Sequence, residues 1–125
     1  MALCAGGCAD HSHRQADADS DDVINTVPKN YKADILAAMH AYFNDPTGIR
    51  DAAIAEPALK SVGGPTRYVV CVRFNAKLHG TTYAGVRDFA AVFVAGRFDR
   101  FVETPREQCA AAAYAPFPEL EKLSR

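Results

Sequence analysis

The sequence has no apolar run approaching the ~18 residues that cross a membrane as a helix, so none of its 125 residues form a helical span. It has no Walker loop and no G-x-G-x-x-G turn, which removes the usual glycine-built phosphate cradles. Serines are sparse and no G-x-S-x-G elbow occurs, which removes the serine-hydrolase nucleophile. Charge of one sign is also missing. The net charge is −1 and the pI is near 6.4, values that argue against a nucleic-acid partner. Catalytic histidine is scarce as well. Beyond the first thirty residues only His40 and His79 are available, and nothing in the sequence places either beside a cysteine nucleophile.

What is present fits one domain, since a single core serves roughly 100 to 200 residues. The near-zero net charge hides an uneven distribution. Residues 1–30 carry Asp10, Asp17, Asp19, Asp21 and Asp22 against Arg14 and Lys29. Residues 67–106 carry Arg67, Arg73, Lys77, Arg87, Arg97, Arg100 and Arg106 against Asp88, Asp99 and Glu103. An acidic leader thus precedes a basic region. The plain reading of that region is solvated charge. The functional reading is an anion-binding face using Arg73, Arg97 and Arg100, because guanidinium forks match carboxylate and phosphate.

The first eight residues, Met1-Ala2-Leu3-Cys4-Ala5-Gly6-Gly7-Cys8, are small and glycine-rich, like the end of a bacterial secretion signal. Ala5-Gly6-Gly7-Cys8 resembles a lipobox, whose cysteine is lipidated after cleavage. A charged leader and an apolar segment are absent before it. The expected reading is therefore a true start further upstream, with Cys8 as the lipidated residue; the alternative is a genuine Met1 and no signal. Cys4, Cys8, His11 and His13 lack the long intervening finger of a structural zinc site, so no metal is expected. Residues 1–22 read as a signal remnant and a polar, disordered tether, and residues 23–125 as one folded domain.

Within that domain Asn30 is a candidate cap for a helix over 31–43, with Ile35, Ala38, Met39, Tyr42 and Phe43 on one face. A modest strand is expected over 49–58, at an edge or ending near Pro57, because proline donates no ladder hydrogen bond. Gly63-Gly64-Pro65 marks a break. The strongest strand signal is Arg67 to Asn75, extendable to Leu78. Its Tyr68, Val70, Val72 and Phe74 form one apolar face, with Val69 and Cys71 on the other. Residues 86–94 are apolar on both faces, as in a central strand, and Ala95-Gly96 is a hairpin signal into a strand over 97–102. Thr104-Pro105-Arg106-Glu107 predicts a capped helix running through Cys109 and the alanines up to Ala113. Residues 119–125 read as a short helical turn with Leu120 and Leu123.

Cys71 lies on the strand face turned away from the main helix, and Cys109 on a helix that follows the last strand. A fold-back would let the two sulfurs meet and cover that face. The loop so closed is worth about 4 kcal/mol in the chain-entropy model. The competing reading is two unrelated buried thiols. Asp88 and Asp99 read as surface charge rather than a catalytic pair.

Three stretches, Arg97-Phe98-Asp99-Arg100-Phe101-Val102, Pro105-Arg106-Glu107-Gln108-Cys109 and Pro116-Phe117-Pro118-Glu119-Leu120, resemble a family of small envelope lipoproteins of alphaproteobacteria. The resemblance covers roughly residues 30–123. It implies no assigned activity and lends no catalytic residues or cofactor. The expected fold is α+β: an N-terminal helix packed on a four-strand antiparallel meander, with a short C-terminal helix, a layout similar to cystatin-like domains. The expected function is a non-enzymatic lipoprotein in the periplasm, anchored to a bacterial membrane through lipid. Its partner would be an anionic envelope component or another protein. The alternative is a small periplasmic enzyme, which would need a deep pocket holding His40 or His79 beside a carboxylate.

Overall fold

The computed structural model describes residues 23–125. The expected tether, Cys4, Cys8, His11 and His13 lie outside the described residues. Helix α1 spans Tyr31–Tyr42, and strands β1 to β5 span Arg50–Ile54, Ala58–Ser61, Thr66–His79, Thr82–Val94 and Arg97–Val102. Helix α2 (Arg106–Cys109), strand β6 (Ala115–Pro116) and helix α3 (Pro118–Glu121) complete the chain. No helix among the described residues is long and apolar enough to cross a membrane.

The four-strand meander expected from the sequence is corrected to a six-strand antiparallel sheet. Its order is β5-β4-β3-β1-β6, with β2 also paired to β3. Two physical causes account for the extra strands. The first is at Pro57, which has no N–H and splits the expected strand. Ile54 pairs with Val72, the Ala55 N–H donates to the Cys71 carbonyl at 2.9 Å, and Ala58 pairs with Val69. Four residues thus oppose three, and the extra one is absorbed as a kink between β1 and β2. The Gly63-Gly64-Pro65 break is a tight connection, closed by the Val62 N–H on the Pro65 carbonyl at 2.8 Å, so pairing resumes at Ser61 and Thr66.

The second cause is the alanine run. The helix expected through Ala113 stops at Cys109, because the chain leaves it to pair Ala115 with Ile54 and Pro116 with Ala53. Sheet pairing overrides the helix propensity of alanine, which is a weak preference. No side chain caps this helix, and the Arg106 N–H instead meets the Thr104 carbonyl at 3.0 Å. Asn30 likewise stands at the cap position of α1 without a side-chain cap bond.

A bulge interrupts the alternation of β1. Strict alternation would separate Ile49 from Ala52 and Ile54, yet all three are buried. Asp51 adopts φ +53° where the register shifts between Arg50 and Ala53, so one residue drops out of the pleat. In the β4–β5 turn Ala95 and Gly96 both have positive φ, and the Ala95 N–H donates to the Ile24 carbonyl at 2.8 Å. The N-terminal segment thus holds the alanine in a backbone conformation that glycine adopts more readily.

The core has two layers. On the α1 side Ile35 and Met39 meet Val70, Val72, Phe74, Ala91, Phe93, Phe117 and Leu120. On the other side Val69, Cys71, Ala90, Val92 and Cys109 form a smaller cluster, with Tyr114 against it. Residues from α2 onward therefore cover one face at Cys109, cross the sheet edge at β6, and bury Phe117 and Leu120 on the opposite face.

Candidate functional site

Cys71 projects from the middle of β3 and Cys109 from the end of α2. Their Cα atoms are 5.8 Å apart and the sulfurs are joined. Both residues are buried. The bond fixes a short four-residue helix onto a face otherwise covered by valines and alanines.

Next to it, strand register places Arg73 opposite Asp88. The guanidinium grips the carboxylate twice, Nε at 2.7 Å and Nη2 at 3.3 Å. It also lies over the Tyr114 ring at 4.2 Å. The bond to Asp88 raises the Arg73 pKa. Burial, then the Asp88 charge, pushes the Tyr114 hydroxyl up to about 12. That hydroxyl is buried without a hydrogen bond of good geometry, although Asp88 is close enough to act on it through its charge.

Two recesses border this framework, and another adjoins one of them. One, of about 660 Å³, lies between Arg73, Asp88 and Arg106 on one side and Arg87, Phe89 and Glu103 on the other. It opens where β5 stops: the β4–β5 pairing ends at Ala90 with Val102, so β4 before Ala90 has no strand on its outer edge among the described residues. A second, of about 130 Å³, sits on the α1 side among Tyr42, Phe43, Phe74 and Leu78, and shares Arg87, Phe89 and Glu103 with the first. Burial and then Glu103 push the Tyr42 hydroxyl up to about 12. The third, about 570 Å³, runs beside Lys32, Glu56, Pro57, Lys60 and alanines 111–113.

The three arginines singled out as an anion face are not brought into one recess. Arg73 is committed to Asp88. Arg100 pairs with its neighbour Asp99 at 2.6 Å. Arg97 borders a shallow recess with Asp34, Ala37, Ala38 and Phe98 of the α1 side. His40 and His79 are exposed and line none of these recesses. The phenylalanines of the basic region pack on one another rather than forming an open platform: Phe74 and Phe89 are stacked at 4.8 Å, and Phe93 is buried. No group of three or more histidine, cysteine or acidic residues suited to a metal occurs among the described residues.

Sequence reasoning missed several residues that shape these surfaces. Arg87 and Arg106 border the 660 Å³ recess and make no ion pair among the described residues. Asp45 accepts from the Thr47 N–H at 3.0 Å and from its hydroxyl, and pairs with Lys77 and Arg125. The Thr47 bonds come first, then Arg125, in holding its carboxyl well below the usual carboxylate range. The Asp45-Pro46-Thr47-Gly48 turn could have suggested the Thr47 bonds, since aspartate commonly accepts from the backbone two residues on. The Arg73–Tyr114 contact spans distant segments and left no sequence signal. No family model, curated protein or solved structure matches the chain.

Proposed function

We propose that this chain is a non-enzymatic envelope lipoprotein with a binding or structural role, held to a bacterial membrane through a lipid on Cys8 and working in the periplasm. The observation that carries the reading is the Cys71–Cys109 disulfide. Such bonds persist in oxidising compartments and are rare in reducing ones. The lipobox-like Ala5-Gly6-Gly7-Cys8 gives a route to the same compartment.

The resemblance to small alphaproteobacterial envelope lipoproteins supports the same reading. Its motifs do structural work in this fold. Pro105 to Cys109 delivers the bonded cysteine, and Pro116 to Leu120 delivers two fully buried side chains, Phe117 and Leu120. Neither His40 nor His79 lines one of these recesses, so the alternative enzyme reading has no histidine-bearing pocket behind it among the described residues. The partner is an anionic envelope component or another protein.

Mass spectrometry of the native protein from cells tests this. The expected result is a chain beginning at a lipid-modified Cys8, with Cys71 and Cys109 joined. An unmodified Cys8 preceded by residues 1–7 overturns the anchor. Alkylation of both Cys71 and Cys109 in the freshly denatured, unreduced protein overturns the oxidising compartment.

A further inference from the structure

We infer that the free edge of β4, where the 660 Å³ and 130 Å³ recesses meet, binds a small organic anion carrying one ring, an aromatic carboxylate. The inference rests on the binding half of the proposed function and names its ligand class.

Three observations carry it. The first is size and lining. The smaller recess is walled by Tyr42, Phe43, Phe74 and Phe89. A dry cavity of about 150 Å³ holds one benzene ring, and a ring set edge-on or offset against other rings is favoured. The second is charge. Arg73 is held by Asp88 and Lys77 by Asp45, but Arg87 and Arg106 make no ion pair among the described residues. The opposing carboxylate is Glu103, which lies against the Tyr42 hydroxyl. Two uncommitted guanidinium groups against one carboxylate leave the junction cationic, and a guanidinium fork matches a carboxylate.

The third is placement. Arg87 pairs across the sheet with Phe74, so it rises on the same face as that wall of the ring-sized recess. It also borders the wider one. A ligand with its ring among Tyr42, Phe43 and Phe74 would therefore hold its carboxylate at Arg87, with Arg106 bordering the wider recess. The end of β5 at Val102 leaves this edge of β4 open.

The test is amide chemical-shift titration of the full chain with phenylacetate, benzyl alcohol and inorganic phosphate. Phenylacetate is expected to shift amides around Arg87, Phe89 and Glu103 with a dissociation constant on the order of millimolar, reasonable for so few atoms. Benzyl alcohol and phosphate should each bind at least tenfold more weakly. Arg87→Gln should weaken phenylacetate at least tenfold, and Ala84→Leu, which fills the ring-sized recess, should abolish binding. Arg100→Gln should change nothing, and unchanged spectra elsewhere would confirm that the variants fold. Equal binding of benzyl alcohol or phosphate, an unaffected Arg87→Gln variant, or shifts at another place overturns the site. Failure here with Cys8 lipidated and the disulfide intact removes the ligand class alone. An unlipidated Cys8 removes the anchor and leaves the ligand site standing.

Discussion

On the α1 side of the sheet the core holds Ile35, Met39, Phe74, Phe93, Phe117 and Leu120, and most of their side chains are fully buried. On the opposite side it holds Val69, Val92, Ala90 and the two bonded cysteines. The first face buries large side chains, each worth roughly 1.5–3 kcal/mol. The second buries small ones, and its cover is a four-residue helix followed by a turn of alanines. A helix that short is marginal by itself. The comparison shows two ways of holding a layer to a sheet: apolar area where side chains are large, and a covalent bond where they are small.

Removing a large side chain from the first face should have the largest effect. Phe74→Ala is expected to cost about 3–5 kcal/mol, read as a lowered midpoint in urea unfolding. A loss near 1 kcal/mol would mean that the α1 face is not the dominant core. Opening the disulfide comes next. Replacing Cys71 and Cys109 together by alanine should cost up to about 4 kcal/mol. The difference between the faces predicts where the loss appears. Hydrogen exchange should speed up over 104–116 while β3 and β4 keep their protection. Loss of protection across the whole sheet would mean that the two layers open together.

The Arg73–Asp88 pair belongs to the second face and is partly exposed, with side-chain exposures of 43% and 33%. A double-mutant cycle with Arg73→Ala and Asp88→Ala should give a coupling of about 0.2–1 kcal/mol. Tyr42 and Tyr114, one on each face, should titrate near pH 12 in an ultraviolet absorbance titration. Their folded-state values are raised, so their contribution is complete below the ordinary value of about 10 and fades as pH rises from there to about 12. The smallest effect concerns Asp45, outside both layers. Its lowered pKa means that its contribution is present above about pH 4 and fades as pH falls below that. Asp45→Asn should lower the unfolding midpoint at neutral pH and converge with the parent protein in acid.

Much of this architecture was legible in the sequence. The alternation of Tyr68, Val70, Val72 and Phe74 against Val69 and Cys71 placed the two faces correctly, because period two is a direct property of extended backbone. The doubly apolar stretch after Asp88 announced a strand covered on both sides. Those two readings left a Cys71–Cys109 bond beside the alternative of two unrelated thiols, and the structure shows the bond formed. What stayed hidden depended on contacts between distant segments. Nothing in Ala115-Pro116 signals a strand; it becomes one because β1 offers an unpaired edge. The shift at Asp51 is a non-glycine residue at positive φ, invisible to a pattern of apolar residues. The candidate site was least legible. Arg87 and Arg106 look like Arg73 and Arg100 in sequence, and only the structure shows which have a carboxylate partner.

The segment that crosses from one face to the other has a consequence in time. A chain growing from its N-terminus releases α1 and β1 to β5 before Cys109, Phe117 and Leu120. Through that interval Cys71 has no partner, and the sheet lacks its cover on one side and two buried side chains on the other. The nascent domain is therefore a half-finished layer with a free thiol, open to mispairing with other cysteines until its last stretch arrives. One late-arriving segment then supplies the missing cover of both faces and the partner of the β1 edge.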